Sequence, residues 1–252
     1  MNKIISFGGG VNSVAMTIML YKRGKIYPCV FADTMAEHPE TYCYMDYFER
    51  IFLKHYGMSI IKLHPIETPE WFEGKAKGRG LYEYCIKDHV IPFMQYRWCT
   101  SDWKVKPILK YKQAYGFTNS LVAFSYDEKH RSEKNFRNDN IREYPLINEK
   151  IDRKECEQII YQSGLEMPRK SGCFICPFQR ITQWQDTYIK YPDLIEKTII
   201  MEENVRAKDG HKVTLRPDGV SIRQLRERFE SKGGDLFPDY DYEELTPCMC
   251  IT

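Results

Sequence analysis

Short continuous apolar runs alternate along this chain with longer stretches whose apolar residues recur every three or four positions. Residues 3–6 form the first run and predict a strand. Residues 13–22 follow, with Val14, Met16, Ile18 and Met19 at helical spacing and Gly24 just beyond the end, a usual helix stop. Residues 27–32 read as a second buried strand. Residues 39–56 read as a helix with Tyr42, Met45, Phe48, Ile51 and Phe52 on one face, closed by Gly57. Residues 59–63 and 119–124 predict two more strands, with a helix from about Val105 to Tyr115 and Gly116 between them. Residues 66–98 lack a clear period and read as a flexible basic loop. Its Lys75, Lys77 and Arg79 lie among glycines, mostly a solvated surface but also suited to a phosphate or nucleic-acid backbone.

Strands that alternate with helices, and that are apolar throughout, predict a parallel sheet covered on both faces. Asp152 and Glu155 form a capping box that opens a helix to about Ser163, ended by Gly164. Residues 180–230 read as amphipathic helices. The expected fold class is therefore α/β, a mainly parallel sheet with helices on both faces plus a C-terminal helical subdomain. The expected boundary divides a sheet-bearing part, residues 1–150, from a cysteine-bearing helical part, residues 151–252.

Between the first strand and the first helix lie Gly8, Gly9 and Gly10. Three glycines let backbone approach a ligand and adopt positive φ, and the open N–H groups of a helix start favour an anion. The spacing fits neither a Gly-Lys-Ser/Thr phosphate loop nor G-x-G-x-x-G. Asp33 and Thr34 end the second strand, on the edge where open α/β sheets bind ligands.

Charge and cysteine content narrow the picture. The 252 residues carry a net charge of only +2, which argues against a bulk polyanion surface. No apolar run approaches a membrane span and the N-terminus lacks a signal pattern, so no membrane association and a cytoplasmic location are expected. Nine cysteines in such a chain point to metal or redox chemistry rather than disulfides. Cys29, Cys43, Cys85 and Cys156 fall inside predicted elements and read as small buried hydrophobes. Cys173 and Cys176, three apart in a Gly/Pro turn, can aim two thiolates at one metal. Cys99, before the Val105 helix, offers a third, and Cys248 or Cys250 a fourth.

Five segments carry a family resemblance. Gly8-Gly9-Gly10-Val11-Asn12-Ser13 resembles the S-G-G-x-D-S pyrophosphate loop of the adenine nucleotide alpha-hydrolase superfamily, with Gly8 for Ser and Asn12 for Asp. The segment from Asp33 to Tyr42 resembles D-T-G-x-E-x-P-E-T-Y of its PAPS-reductase-like branch. Cys99 to Pro107 resembles C-T-x-x-x-K-x-x-P, and the tract Ser125 to Arg131 resembles G-x-R-x-D-E-x-x-R, with Glu128 and Arg131 in place. Lys170-Ser171-Gly172-Cys173-x-x-Cys176-Pro177-Phe178 resembles K-S-G-C-x-x-C-P-F, half of an iron–sulfur or zinc site in relatives.

The resemblance implies a PP-loop ATP pyrophosphatase that cleaves ATP to AMP and pyrophosphate to adenylate an acceptor, for iron–sulfur-dependent sulfur transfer to a nucleic acid or small molecule. Ser6, Gly8, Gly9, Gly10, Asn12, Ser13, Asp33 and Thr34 would bind the nucleotide, with Mg²⁺. Lys104 and Arg131 would neutralise charge at the α-phosphorus. Cys99, Cys173, Cys176 and Cys248 would hold a [4Fe–4S] cluster, with zinc as the alternative. A second reading is an adenylyl sulfate or PAPS reductase with Cys250 or Cys248 as nucleophile, although the usual E-C-G-L-H context is absent. A third is a non-catalytic nucleotide-binding partner subunit. The resemblance also admits a tRNA or DNA acceptor, a cysteine desulfurase or thioredoxin-like reductant as partner, and a homodimer.

Overall fold

The structure is a computed structural model that describes residues 2–132, 141–209 and 213–231. Among these residues lies one five-stranded sheet in the order β3-β2-β1-β4-β5, with every neighbouring pair parallel. Its strands are β1 (Lys3–Ser6), β2 (Cys29–Ala32), β3 (Ile60–Leu63), β4 (Asn119–Val122) and β5 (Ile141–Glu143). The first four lie where the apolar runs predict them. β5 was not expected, because a three-residue edge strand has too short a run to show a period.

Side chains of a strand alternate between faces, so Ile4 and Ile5 enter different cores. On one face Ile5, Cys29, Phe31, Ile60 and Leu121 pack with α1 (Val11–Lys22), α2 (Pro39–Ile51) and, further along the chain, α7 (Arg153–Tyr161). The capping box at the start of α7 is formed as expected: Glu155 N donates to Asp152 Oδ1 at 2.9 Å and Asp152 N to Glu155 Oε2 at 2.8 Å. On the other face Ile4, Val30, Ala32 and Leu63 meet α3 (Leu81–Asp88), α5 (Lys106–Ala114), residues 173–178 and the helices α8 (Ile181–Lys190), α9 (Pro192–Asp209) and α10 (Ile222–Ser231). Full burial of Trp103 and Trp184 in this second core stabilises the fold by roughly 2–3 kcal/mol each.

Three local departures from expectation have physical causes. The long helix from residue 39 breaks after Ile51 into a 3₁₀ turn, Leu53–Tyr56, that ends at Gly57 with φ +66. The basic loop contains α3, whose buried stripe is only Leu81 and Cys85, too little to show a period. Cys99 lies in a helical turn, α4 (Trp98–Thr100), that continues through a π-helical turn, Ser101–Val105, into α5. Pro107 has no N–H to give the Trp103 carbonyl, which favours the wider turn just before it. The short α6 (Pro145–Asn148) follows β5.

Candidate functional site

The order β3-β2-β1-β4-β5 reverses direction between β1 and β4, and an open α/β sheet forms its ligand crevice beyond the carboxyl ends of such a pair. Asn12, after β1, spans this place. Its Nδ2 donates to Glu128 Oε2 at 3.0 Å and to Ser125 Oγ at 3.1 Å, both after β4. Its Oδ1 accepts from Arg153 Nη1 at 3.2 Å. Glu128 also accepts at Oε1 from Arg131 at 2.6 Å, and the buried Arg131 guanidinium lies over the Phe124 ring.

Around Asn12 opens a pocket of about 960 Å³, part of it in open solvent, lined by Gly10, Asn12, Asp127, Glu128, Arg153, Glu157, Lys170, Ser171 and Arg180. The start of α1 forms its floor. No side chain caps that helix and no acidic residue occupies its first turn. The first intrahelical bond is Val14 N to Gly10 O, so the N–H groups before it are available to an anion. Gly9 has φ +70, a backbone that most L-residues resist. Gly10 serves differently: a Cβ there would lie 2.7 Å from Ser171 Oγ, so its absence lets Ser171 close against the helix start.

On the other side of Gly172 lies a second, largely apolar pocket, whose space of about 420 Å³ is in part open solvent. Thr34, Phe93, Arg97, Cys99, Lys104, Cys173, Cys176 and Phe178 line it. The sulfur of Cys173 is 3.2 Å from Thr34 Oγ1 and donates to Glu37 Oε1 at 3.5 Å. Glu37 is almost fully buried and pairs with Lys104 at 2.7 Å. Burial pushes the Cys99 thiol up from its ordinary range, opposed by hydrogen bonding from Thr100 and by the charge of Lys104. Among the described residues, no three His, Cys, Asp or Glu side chains converge tightly enough to hold a single metal ion.

The structure thus divides the expected site residues between places. Gly10 and Asn12 line the pocket at the start of α1, with Gly8, Gly9 and Ser13 in the same loop and first turn. Thr34, Lys104, Cys99, Cys173 and Cys176 share the second pocket. Asp33, just before it, accepts at Oδ1 from Met35 N and Tyr42 OH, both at 2.7 Å, and burial holds its carboxyl above the usual range. Ser6 turns instead toward α5, beside Ser120 and Arg142. Arg131 supports Glu128 from behind. Cys248 and Cys250 lie outside the described residues. Cys29, Cys85 and Cys156 are buried as expected, with burial pushing the Cys29 and Cys156 thiols up to about 12. Cys43 is exposed, a correction to its expected burial: it faces outward on α2, whose buried face carries Tyr44, Met45 and Phe48.

Arg153, Arg180 and Glu37 were not singled out from the sequence. Arg153 looks like the ordinary first residue of a capped helix, a lone Arg180 carries no spacing signal, and Glu37 stands in the sequence only as the first E of the D-T-G-x-E-x-P-E-T-Y segment. A family model described as the phosphoadenosine phosphosulfate reductase domain matches residues 2–150, more than half of the chain. The chain belongs to this family. Two uncharacterized proteins of Methanocaldococcus jannaschii are relatives within reach of sequence comparison. Each is 25% identical over 77% of this chain, and the chain covers 40% of one and 46% of the other. It therefore spans less than half the length of these curated relatives. Among solved structures, it is similar to phosphoadenylyl-sulfate (PAPS) reductase from Candida auris in a phosphate complex. That similarity has a TM-score of 0.48 and 15% identity, over 67% of this chain and 75% of the other. No helix among the described residues of this family member is long and apolar enough to cross a membrane.

Proposed function

We propose that this chain is an adenine-nucleotide enzyme that cleaves ATP to AMP and pyrophosphate and couples the adenylate to sulfur transfer. The observation that carries the reading is that one short segment lines both pockets: Lys170 and Ser171 face the start of α1, and Cys173 and Cys176 face Cys99. Nucleotide phosphates and sulfur ligands would thus sit on either side of Gly172.

In this scheme the acceptor's nucleophile attacks the α-phosphorus and the bond to the bridging oxygen breaks. Pyrophosphate takes the electron pair, and its growing charge is met by the α1 N–H groups with Arg153, Lys170 and Arg180. The three cysteines are soft donors in one pocket that do not converge on a single ion. Soft thiolate donors are the ligand type of a [4Fe–4S] cluster, with zinc as the alternative, and the resemblance of the Cys99 segment as well as of the Cys173/Cys176 turn favours the cluster. Such a cluster would supply a site for the transferred sulfur. Lys104, held by Glu37, would keep positive charge beside the thiolates. The acceptor, a tRNA or DNA or a smaller molecule, would enter past Phe93 and Arg97.

The test is incubation of anaerobically purified protein with α-labelled ATP and candidate acceptors, resolving AMP, ADP and pyrophosphate. AMP with pyrophosphate supports the reading, and ADP with phosphate overturns it. The family match favours a second reading, reduction of adenylyl sulfate or PAPS. Sulfite release from either with a thioredoxin-like reductant would establish that one instead.

A further inference from the structure

The pocket around Asn12 holds three carboxylates, Asp127, Glu128 and Glu157, and a divalent cation would need some of them. Magnesium takes oxygen ligands in octahedral geometry, and carboxylates supply most of the protein's share. Glu128 is engaged at both oxygens: Oε1 by Arg131 at 2.6 Å, and Oε2 by Asn12 at 3.0 Å and Ser125 Oγ at 3.3 Å. Asp127 Oδ1 accepts from Arg153 N at 3.1 Å. Glu157 Oε1 accepts from Arg153 Nε at 3.0 Å. The loop itself offers the neutral amide of Asn12, and its oxygen already faces the Arg153 guanidinium at 3.2 Å. A second cation placed at that oxygen would meet the charge of the first. Each carboxylate present thus already holds a donor of Arg131, Arg153 or Asn12, so the residues present fit a magnesium ion at the loop poorly: it would have to compete with the Arg153 charge that already occupies the place.

They do fit an arginine in its place. Arg153 is the first residue of α7, whose start is fixed by the Asp152–Glu155 capping box and whose body packs in one core with α1. Two of its five side-chain N–H groups hold Glu157 and Asn12, which sets the plane of the guanidinium beside the α1 N-terminus. A planar fork so placed matches two phosphate oxygens, and Lys170 and Arg180 add charge from across the pocket.

We infer that this pocket binds nucleotide phosphates without a divalent cation, with Arg153 in the place of the metal. The inference rests on the nucleotide reading of the pocket. The experiment is calorimetric titration of the full chain with ATP, once in excess chelator and once with saturating magnesium. ATP free of magnesium should bind at least as tightly as the magnesium complex. Arg153→Ala should weaken metal-free binding by about tenfold or more, the loss of a charge-assisted contact, with Arg153→Lys intermediate. Arg153→Gln, which keeps a donor for Asn12, serves if the alanine variant fails to fold. Tenfold tighter binding of the magnesium complex, or unchanged metal-free affinity in a folded Arg153 variant, would overturn the inference while leaving the nucleotide reading in place. No binding under either condition would overturn the nucleotide reading and the inference with it.

Discussion

Asn12 Nδ2 donates to Glu128 Oε2 at 3.0 Å, a bond between the loop after β1 and the turn after β4. It makes the amide at this position part of the fold as well as of the pocket. Asn12→Asp would restore the residue usual in PP-loops, yet it would set two carboxylates at hydrogen-bond distance. We expect it to destabilise the protein by about 2 kcal/mol at pH 8, with Arg131 and Arg153 offsetting part of the repulsion. The deficit should shrink near pH 4, as one carboxyl of the pair takes up a proton. Equal melting temperatures for variant and wild type at pH 8 would show that the two side chains do not sense each other.

Lys104 and Glu37 form the buried ion pair of the cysteine pocket. Lys104→Met leaves the charge of the nearly fully buried Glu37 uncompensated. The expected cost is about 3–5 kcal/mol, read by chemical denaturation, whereas Lys104→Arg should keep most of the stability. A loss below about 1 kcal/mol in Lys104→Met would mean that Glu37 is neutral or reaches water.

Met35 has φ +57 where the related segments carry glycine. A left-handed backbone costs an L-residue roughly 1–2 kcal/mol, and glycine is free of that penalty. Met35→Gly should therefore be neutral or stabilising by up to about 1 kcal/mol, and Met35→Val clearly destabilising. The opposite order in thermal melts would show that contacts of the Met35 side chain outweigh its backbone strain.

His38 is buried at the start of α2, its Nε2 within 3.2 Å of Gln179 Oε1. Burial, and then the nearby Arg169 charge, hold its pKa below the ordinary 6.5. The folded state thus binds this proton less readily than the unfolded chain does. Stability from this group is complete above pH 6.5 and is lost as pH falls toward the depressed folded value. Between pH 7 and 5 the wild type should lose more melting temperature than His38→Gln. Parallel pH curves would assign the acid sensitivity elsewhere.

Cys99, Cys173 and Cys176 line one pocket and Cys43 is exposed on α2. Under anaerobic purification, alanine at any of the first three should lower iron content strongly, and Cys43→Ala should leave it unchanged. Zinc at one per chain in the wild type, with no iron, would rule out a cluster.

Much of the frame is legible in the chain itself. Strand-length runs such as Ile4-Ile5 and Cys29-Val30-Phe31, buried on both sides, need no long-range information to be read as parallel strands. Asp152 with Glu155 and the glycines after α1 and α5 are local signals as well, set by backbone groups a few residues apart. The glycine loop and the Cys173/Cys176 turn are likewise visible in the chain by residue type and spacing alone.

Tertiary structure alone decided which of those residues face one another. Asn12 and Arg153 are 141 positions apart, and their bond exists because α7 returns to pack on α1. Glu37, Lys104 and Cys173 meet because the π turn before Pro107 and the turn after Gly172 both close on the end of β2. No periodicity in the sequence encodes such meetings. They follow from the strand order β3-β2-β1-β4-β5 and from helices packed across it. Chain-distant side chains come together at its carboxyl edge because the backbone there has left the sheet and its polar groups still need partners.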